Sequence, residues 1–235
     1  MIRHGGKILS DQLVKLGVER VFSVPGESFL AALDGLYDSG IPNIVCRQEG
    51  GAAMMAEAYG KMTGKPGVCF VTRGPGATNA SAGVHIAMQD STPMVLFVGQ
   101  IDNRHTDRET FQEVDYKQVF GGLAKWVAQV NDTDRLPEYI GRAFRVAMSG
   151  RPGPVVLALP ENILSAQADV PDIQGNPYFD HARNPDSAEI FVGELQTAKR
   201  PLIIVGGPHW CKKSAEELQN FAESLSIPVA ASFRR

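Results

Sequence analysis

The sequence contains few cysteines, no long hydrophobic run and no concentration of positive charge. Its 235 residues include three cysteines without a CxxC pair, which excludes a disulfide-based scaffold. No apolar run reaches the roughly 20 residues of a membrane-spanning helix, and the 23 Lys and Arg are too scattered for a nucleic-acid surface. The amino terminus lacks the pattern of a secretory signal. We therefore expect a soluble, cytoplasmic protein that binds neither membranes nor nucleic acids and has a small-molecule partner.

Two kinds of catalytic site also lack support in the sequence. The five histidines are scattered without ligand spacing, so no metal site is expected. No GxSxG motif marks a nucleophilic serine. Cys46 and Cys69 lie in apolar, strand-like segments, and we expect them to be buried free thiols.

Helical periodicity alternates with short apolar runs bounded by Gly and Pro. This alternation predicts an α/β fold, a parallel sheet flanked by helices on both faces. The charged segment 101–115 has no stable period and is predicted to be a surface loop. The predicted helices cover residues 5–17, 28–37, 50–62 and a segment after residue 76, and the predicted strands cover 18–24, 41–47, 67–72, 94–98 and 155–159.

A polar, proline-bearing segment divides the sequence. Residues 1–165 form the first predicted domain, 166–186 a linker, and 187–235 the start of a second, Rossmann-like α/β domain. A tail of about 50 residues is at the lower limit for independent folding, so we expect a truncated domain. Within it, helices are predicted at 189–198 and 213–225, a strand at 202–205 and an apolar run at 228–231.

The first segment with chemical potential places Glu49 between the end of a strand and a helix whose first turns are Gly and Ala. Small residues permit close approach of another body. From the residues alone, Glu49 is explained as well by the helix macrodipole, an effect of roughly 0.3–1 kcal/mol.

A glycine turn, Thr72-Arg73-Gly74-Pro75-Gly76-Ala77-Thr78-Asn79, joins a strand to a helix. Its free backbone donors could face an anion or a flat ring. The turn nearly matches a dinucleotide fingerprint, except that Asn79 replaces the third glycine. In favour of the match, Asp102 lies roughly where a ribose-binding acid would stand. A dinucleotide site and a plain tight turn both remain open at this point.

Two further segments complete the set. Val24-Pro25-Gly26 ends a predicted strand at the carboxyl edge of the sheet, where open α/β sheets bind ligands. Phe111-Gln112-Glu113 lies in the predicted polar loop.

Taken in order, these segments resemble the N-terminal, pyrimidine-binding domain of thiamine diphosphate-dependent enzymes of the acetolactate synthase type. The motifs that carry the resemblance are Val-Pro-Gly (24–26), Arg-Gln-Glu-Gly-Gly-Ala (47–52), Ala-Tyr-Gly-Lys-Met-Thr-Gly-Lys-Pro-Gly-Val (58–68), Gly-Pro-Gly-Ala-Thr-Asn (74–79), Phe-Gln-Glu (111–113) and Gly-Arg-Pro-Gly-Pro-Val (150–155). The resemblance covers about residues 5–165, and 201–208 is similar to the opening of the family's central domain.

The resemblance implies roles for particular residues. Glu49 would be the catalytic glutamate that hydrogen-bonds the cofactor's aminopyrimidine ring. The cofactor-binding set would be Val24, Pro25, Gly26, Thr72, Gly74, Pro75, Gly76 and Asn79. Glu27, Phe111 and Gln112 would face the substrate, which the resemblance implies to be a 2-oxo acid that is decarboxylated or joined to a second carbonyl compound.

The resemblance also implies partners and absent parts. The family's Gly-Asp-Gly segment, which holds Mg²⁺ and the diphosphate, does not occur in this sequence, so we expect this chain alone to be inactive. The active site implied by the family needs at least a homodimer, and its central domain leaves room for a flavin (FAD). One departure is Glu27, which stands where acetolactate synthases usually have a second glycine. The rivals are a dinucleotide-dependent oxidoreductase and a non-catalytic binding module.

Overall fold

The computed structural model describes residues 1–174, 185–207 and 210–233. The chain forms two compact units, Met1–Tyr178 and Phe179–Arg235. In the described segments, no helix combines the length and the apolar character needed to cross a membrane.

The first unit alternates strands and helices along the chain, as the periodicity predicts. Short 3-10 turns are also present at Glu27–Phe29, Asn103–His105 and Thr133–Arg135. In chain order its elements are β1 (Arg3–His4), α1 (Gly5–Lys15), β2 (Val21–Ser23), α2 (Leu30–Tyr37), β3 (Asn43–Val45), α3 (Glu49–Thr63), β4 (Gly67–Val71), α4 (Pro75–Asp90), β5 (Met94–Gln100), α5 (Tyr116–Phe120), β6 (Trp126–Gln129), α6 (Leu136–Met148), β7 (Pro154–Pro160), α7 (Glu161–Ser165) and β8 (Gln167–Ala168).

Six strands form one sheet in the order β3-β2-β4-β5-β7-β6, and every neighbouring pair is parallel. This confirms the predicted fold class. The three central strands β4, β5 and β7 are buried along their whole length, as expected of strands covered on both faces. Sequence periodicity did not assign β6, which forms one edge of the sheet, or α6, which packs on one face of the sheet.

Helices cover both faces of the sheet, and the two faces differ in composition. On one face, α1 and α6 contribute large side chains such as Leu9, Leu13 and Phe144. On the other, α3 and α4 pack through small residues, and a Cβ added to Gly83 would lie 2.6 Å from Cβ of Ala53. The small residues predicted around Gly50–Met62 therefore allow two helices to approach closely.

The cysteine prediction is correct for one residue and wrong for the other. Cys69 is fully buried in β4, and burial raises the pKa of its thiol. Cys46 follows β3 and is only half-buried. The reason is that β3 is an edge strand, so its apolar residues Ile44 and Val45 are exposed as well.

The first part of the segment predicted as a linker packs against the first unit. Strand β8 pairs antiparallel with β1, and Arg3 donates to Asp172 at 2.8 Å. Gln12 exchanges two hydrogen bonds with the backbone of Ile173. The rest of the predicted linker, 175–184, lies outside the described residues.

The second unit contains α8 (Pro185–Thr197), β9 (Ile203–Val205), α9 (Lys212–Leu225) and β10 (Val229–Ala231). Strands β9 and β10 pair in parallel. The two helices and β9 agree in kind and order with those predicted beyond residue 187, and the predicted apolar run 228–231 contains β10.

Candidate functional site

The loops that follow β2, β3 and β4 meet at the carboxyl edge of the sheet. Ser23 at the end of β2 pairs with Val45 of β3 and with Phe70 of β4. Because neighbouring parallel strands end at the same edge, the segments that begin at Val24 and Thr72 lie side by side. The start of α3 completes this group.

Glu49 is the first residue of α3 and is half-buried. Its Oε2 accepts a hydrogen bond of 3.0 Å from Nδ2 of Asn79 on α4. The preceding Gln48 caps the helix, because its Oε1 accepts from the backbone N of Gly51 at 2.9 Å. The positive end of the helix macrodipole favours a negative charge at this position. The start of the helix and the hydrogen bond from Asn79 together hold the Glu49 carboxylate in a defined place.

Two glycines make room for the side chain of Thr72. A Cβ added to Gly26 would lie 2.4 Å from Cβ of Thr72, and one added to Gly76 would lie 2.7 Å from its Cγ2. The same position on Gly76 is 3.5 Å from Oε1 of Glu49. Gly26, Thr72, Gly76, Glu49 and Asn79 therefore form one contiguous set, which we call the Glu49 cluster.

Gly74 has φ of +61°, and a Cβ there would lie 2.8 Å from Cβ of Gln112. The loop 101–115 thus packs against the glycine turn and brings Gln112 beside it. Gln112 itself has φ of +65°, a conformation that few non-glycine residues adopt. The neighbouring Phe111 is 74% exposed.

Three other predicted cofactor-binding residues lie within two positions of Gly26 or Gly76 in the chain. Val24 is half-buried and continues the ladder, since its N donates to the carbonyl of Phe70 at 3.3 Å. Pro25 is exposed. Pro75 is also exposed and begins α4, where a proline costs no helical hydrogen bond.

Sequence reasoning missed Arg73, a buried arginine at the same edge. Its Nη2 donates to Oε1 of Glu27 at 2.8 Å, and its Nη1 pairs with Oε1 of Glu161. Its backbone N donates to Oγ of Ser28, which also bonds Oγ1 of Thr72 at 2.8 Å. The sequence signal that could have identified Arg73 is an arginine in the turn after an apolar strand, together with the additional acid at Glu27 in the turn after another strand.

Tyr116 was also missed. Its hydroxyl accepts a hydrogen bond of 2.9 Å from the backbone N of Gly74. Burial raises the pKa of Tyr116 to about 12. The neutral phenol therefore fixes the glycine turn to the end of the 101–115 loop throughout the physiological pH range.

The positions that suggested a dinucleotide site are engaged in other contacts. Asn79, in place of the third glycine, bonds Glu49. Asp102 pairs with Arg104, whose hydrogen bonds lower the pKa of that carboxyl to about 2. Across the described parts of the chain, no group of three or more His, Cys, Asp or Glu side chains is placed to hold a metal ion.

Two family models match the chain. Residues 3–119 match the N-terminal TPP binding domain of thiamine pyrophosphate enzymes, and residues 189–235 match the central domain of thiamine pyrophosphate enzymes. The Glu49 cluster lies within the first match. The chain belongs to the thiamine pyrophosphate enzyme family, and its first unit has the fold of the pyrimidine-binding domain.

Within that family the chain is similar to acetolactate synthases. It is 35% identical to the acetolactate synthase isozyme 2 large subunit of Escherichia coli over 98% of its length, which is 42% of that protein. It is 37% identical to the chloroplastic acetolactate synthase of Arabidopsis thaliana, over 97% of this chain and 35% of the relative. It is 30% identical to the acetolactate synthase of Bacillus subtilis, over 98% and 41%. The chain thus spans about two fifths of the length of these curated relatives.

Proposed function

We propose that this chain provides the pyrimidine side of the cofactor site in a thiamine diphosphate-dependent enzyme that decarboxylates or joins 2-oxo acids. The observation that carries the proposal is Glu49, which Asn79 holds at the start of α3 on the carboxyl edge of the sheet. The match to thiamine pyrophosphate enzymes and the similarity to acetolactate synthases support the same activity.

The residues of the cluster fit the pyrimidine part of that cofactor. Oε2 of Glu49 is engaged by Asn79, while Oε1 faces Gly76, where a side chain is absent. A carboxyl oxygen beside bare backbone can hydrogen-bond one ring nitrogen of a flat heterocycle. Val24 and Pro25, which precede Gly26, would line the same pocket.

When bound, thiamine diphosphate supplies a nucleophilic thiazolium carbon and an electron sink for the carbanion left by decarboxylation. Glu49 would share a proton with a pyrimidine nitrogen through Oε1. The hydrogen bond from Asn79 fixes the orientation of the carboxyl group, so that proton sharing needs little reorganisation. Gln112, Phe111 and Glu27 would face the substrate, so the substrate would lie on the side of the 101–115 loop and the turn after β2.

The proposal extends to partners. Met54 and Met55 on α3 and Val45 before it expose apolar surface next to Glu49, as an interface would. We propose that a second copy of the chain covers this surface in a homodimer. The diphosphate and Mg²⁺ would be held by residues outside these 235, so the chain alone would be inactive, and any FAD would bind through the central domain.

The enzyme that contains this chain provides the test. It should release carbon dioxide from 2-oxo acids only in the presence of thiamine diphosphate and Mg²⁺, and Glu49→Gln should lower turnover at least about 100-fold. The matched control is Glu19→Gln, which alters an exposed carboxylate of the same unit and should leave turnover unchanged.

Two results would contradict the proposal. Turnover that does not depend on thiamine diphosphate would remove the cofactor assignment. Thermal stabilisation by a nicotinamide nucleotide but not by thiamine diphosphate would favour the oxidoreductase instead.

A further inference from the structure

Arg73 connects the carboxyl ends of three strands. It follows β4, and its guanidinium reaches Glu27 after β2 and Glu161 after β7. Its side chain is only 10% exposed. The adjacent Thr72 belongs to the Glu49 cluster, so this arginine is a buried cation beside the proposed cofactor site.

The hydrogen-bonding capacity of Arg73 is only partly used. Nη1 is paired with Glu161, and Nη2 donates to one oxygen of Glu27 at 2.8 Å. Nε is buried and has no partner among the described residues. Nε and Nη2 form one edge of the guanidinium plane, the edge that binds both oxygens of a carboxylate in a bidentate pair. Of these two nitrogens, Nη2 donates to Glu27 and Nε is the one without a partner among the described residues.

The position of Glu27 allows a ligand to displace it from Arg73. Its side chain is 70% exposed, so a released carboxylate regains water at little cost. Glu27 and Glu161, the two acids that pair with Arg73, both line a cleft of about 210 Å³. A ligand carboxylate that occupied Nε and Nη2 would leave the charge balance around Arg73 unchanged and would satisfy the unpaired Nε.

We propose that Arg73 is a specificity-determining residue that binds a substrate carboxylate through Nε and Nη2, with Glu27 as the competing internal anion. The inference rests on the proposed function, because it names a recognition element for the same 2-oxo acid site.

The carboxylate held in this way is one that survives the reaction. A bidentate pair with a buried arginine stabilises the ground-state anion, and that stabilisation would be lost if the carboxylate left as carbon dioxide. Two carboxylates meet the requirement: that of a second, acceptor 2-oxo acid, and the distal group of a dicarboxylic 2-oxo acid.

Binding is tested directly by magnetic resonance on the full chain with ¹⁵N-labelled arginine. The titrants are pyruvate, 2-oxoglutarate and, as an uncharged control, methyl pyruvate. The Arg73 Nε–H signal should shift with at least one of the two carboxylates and not with the ester. Arg73→Lys keeps the positive charge but removes the two parallel N–H donors of the guanidinium edge. It should therefore weaken carboxylate binding about tenfold or more. The control Arg135→Lys, at an exposed arginine paired with Glu138, should leave binding unchanged.

Glu27→Ala is a second variant, which keeps the inference testable if Arg73→Lys does not fold. Removal of an exposed competitor should tighten carboxylate binding, the opposite of the effect of Arg73→Lys. Equal shifts with the ester, or Glu27→Ala binding no tighter than the unaltered chain, would overturn the inference.

Kinetics of the enzyme that contains the chain identify the source of the carboxylate. Arg73→Lys should raise KM for pyruvate as acceptor if the acceptor carboxylate is bound, or KM for 2-oxoglutarate alone if the distal group is bound. Proton exchange at the cofactor's thiazolium carbon should not change. An unchanged KM for both substrates contradicts this inference alone, whereas exchange that is insensitive to Glu49→Gln contradicts the proposed function alone.

Discussion

The close contact between Gly76 and Thr72 gives a quantitative prediction for stability. In Gly76→Ala the new Cβ would lie 2.7 Å from Cγ2 of Thr72, well inside van der Waals contact. Overpacking of this kind costs about 1–3 kcal/mol, whereas Gly to Ala inside a helix gains about 0.5–1 kcal/mol. We therefore expect Gly76→Ala to destabilise the first unit by about 1–2 kcal/mol.

Thr72→Ser removes the methyl group in question and keeps the hydroxyl that bonds Ser28. Alone it should cost about 1 kcal/mol for the lost methyl. In the double variant, which carries both Gly76→Ala and Thr72→Ser, the new Cβ occupies the space of the removed methyl group, so the two costs should largely cancel. The coupling energy should be about 2 kcal/mol in favour of the double variant.

Urea unfolding of the four proteins of this cycle measures the coupling, provided that the slope with denaturant is the same in all four. Gly51→Ala is the control, because nothing lies within 4 Å of a Cβ at Gly51 and the change should stabilise α3 by about 0.5–1 kcal/mol. Costs that add within about 0.5 kcal/mol would refute the contact between Gly76 and Thr72.

The remaining predictions concern buried groups of the first unit. Burial raises the pKa of Tyr116 to about 12 from 10.0, so its contribution to stability is present below pH 10 and is lost as the pH rises towards 12. The Tyr116→Phe variant should lack this decline of about 3 kcal/mol in total, as measured by urea unfolding at each pH. Thr92→Val deprives the buried carboxylate of Glu57 of a 2.9 Å hydrogen bond and should cost about 1–3 kcal/mol in the same assay. Cys69 should resist a thiol reagent until the unit unfolds, whereas the other two thiols should react in the native state, as counted by mass spectrometry.

The sequence predicted elements whose signals are local. Apolar runs bounded by Gly and Pro located β4 and β5, and the small residues after Glu49 located α3. These signals do not indicate which strands stand at an edge. Cys46 was therefore expected to be buried, although β3 has a neighbour on one side only.

Residues of the site were predictable where a motif carried them. Glu49 and Asn79 came from two separate motifs, and their hydrogen bond connects α3 with α4 across 30 residues of sequence. Arg73 and Tyr116 were missed because their partners are distant in sequence: Glu161 lies 88 residues from Arg73, and Tyr116 lies 42 residues from Gly74. Such pairs depend on how the sheet brings loops together, which periodicity does not reveal.

The central claim is that Glu49 handles a proton at the cofactor, and deuterium exchange at the thiazolium carbon tests it most directly. Quenched-flow magnetic resonance would compare Glu49→Gln with the unaltered enzyme at saturating thiamine diphosphate. The amide can still accept a hydrogen bond but cannot share a proton, so exchange should slow by roughly 10²–10⁴-fold while cofactor affinity changes little. If Glu49 served only the helix macrodipole, the substitution would change stability by a fraction of about 1 kcal/mol. Equal exchange rates in the two proteins would contradict the account.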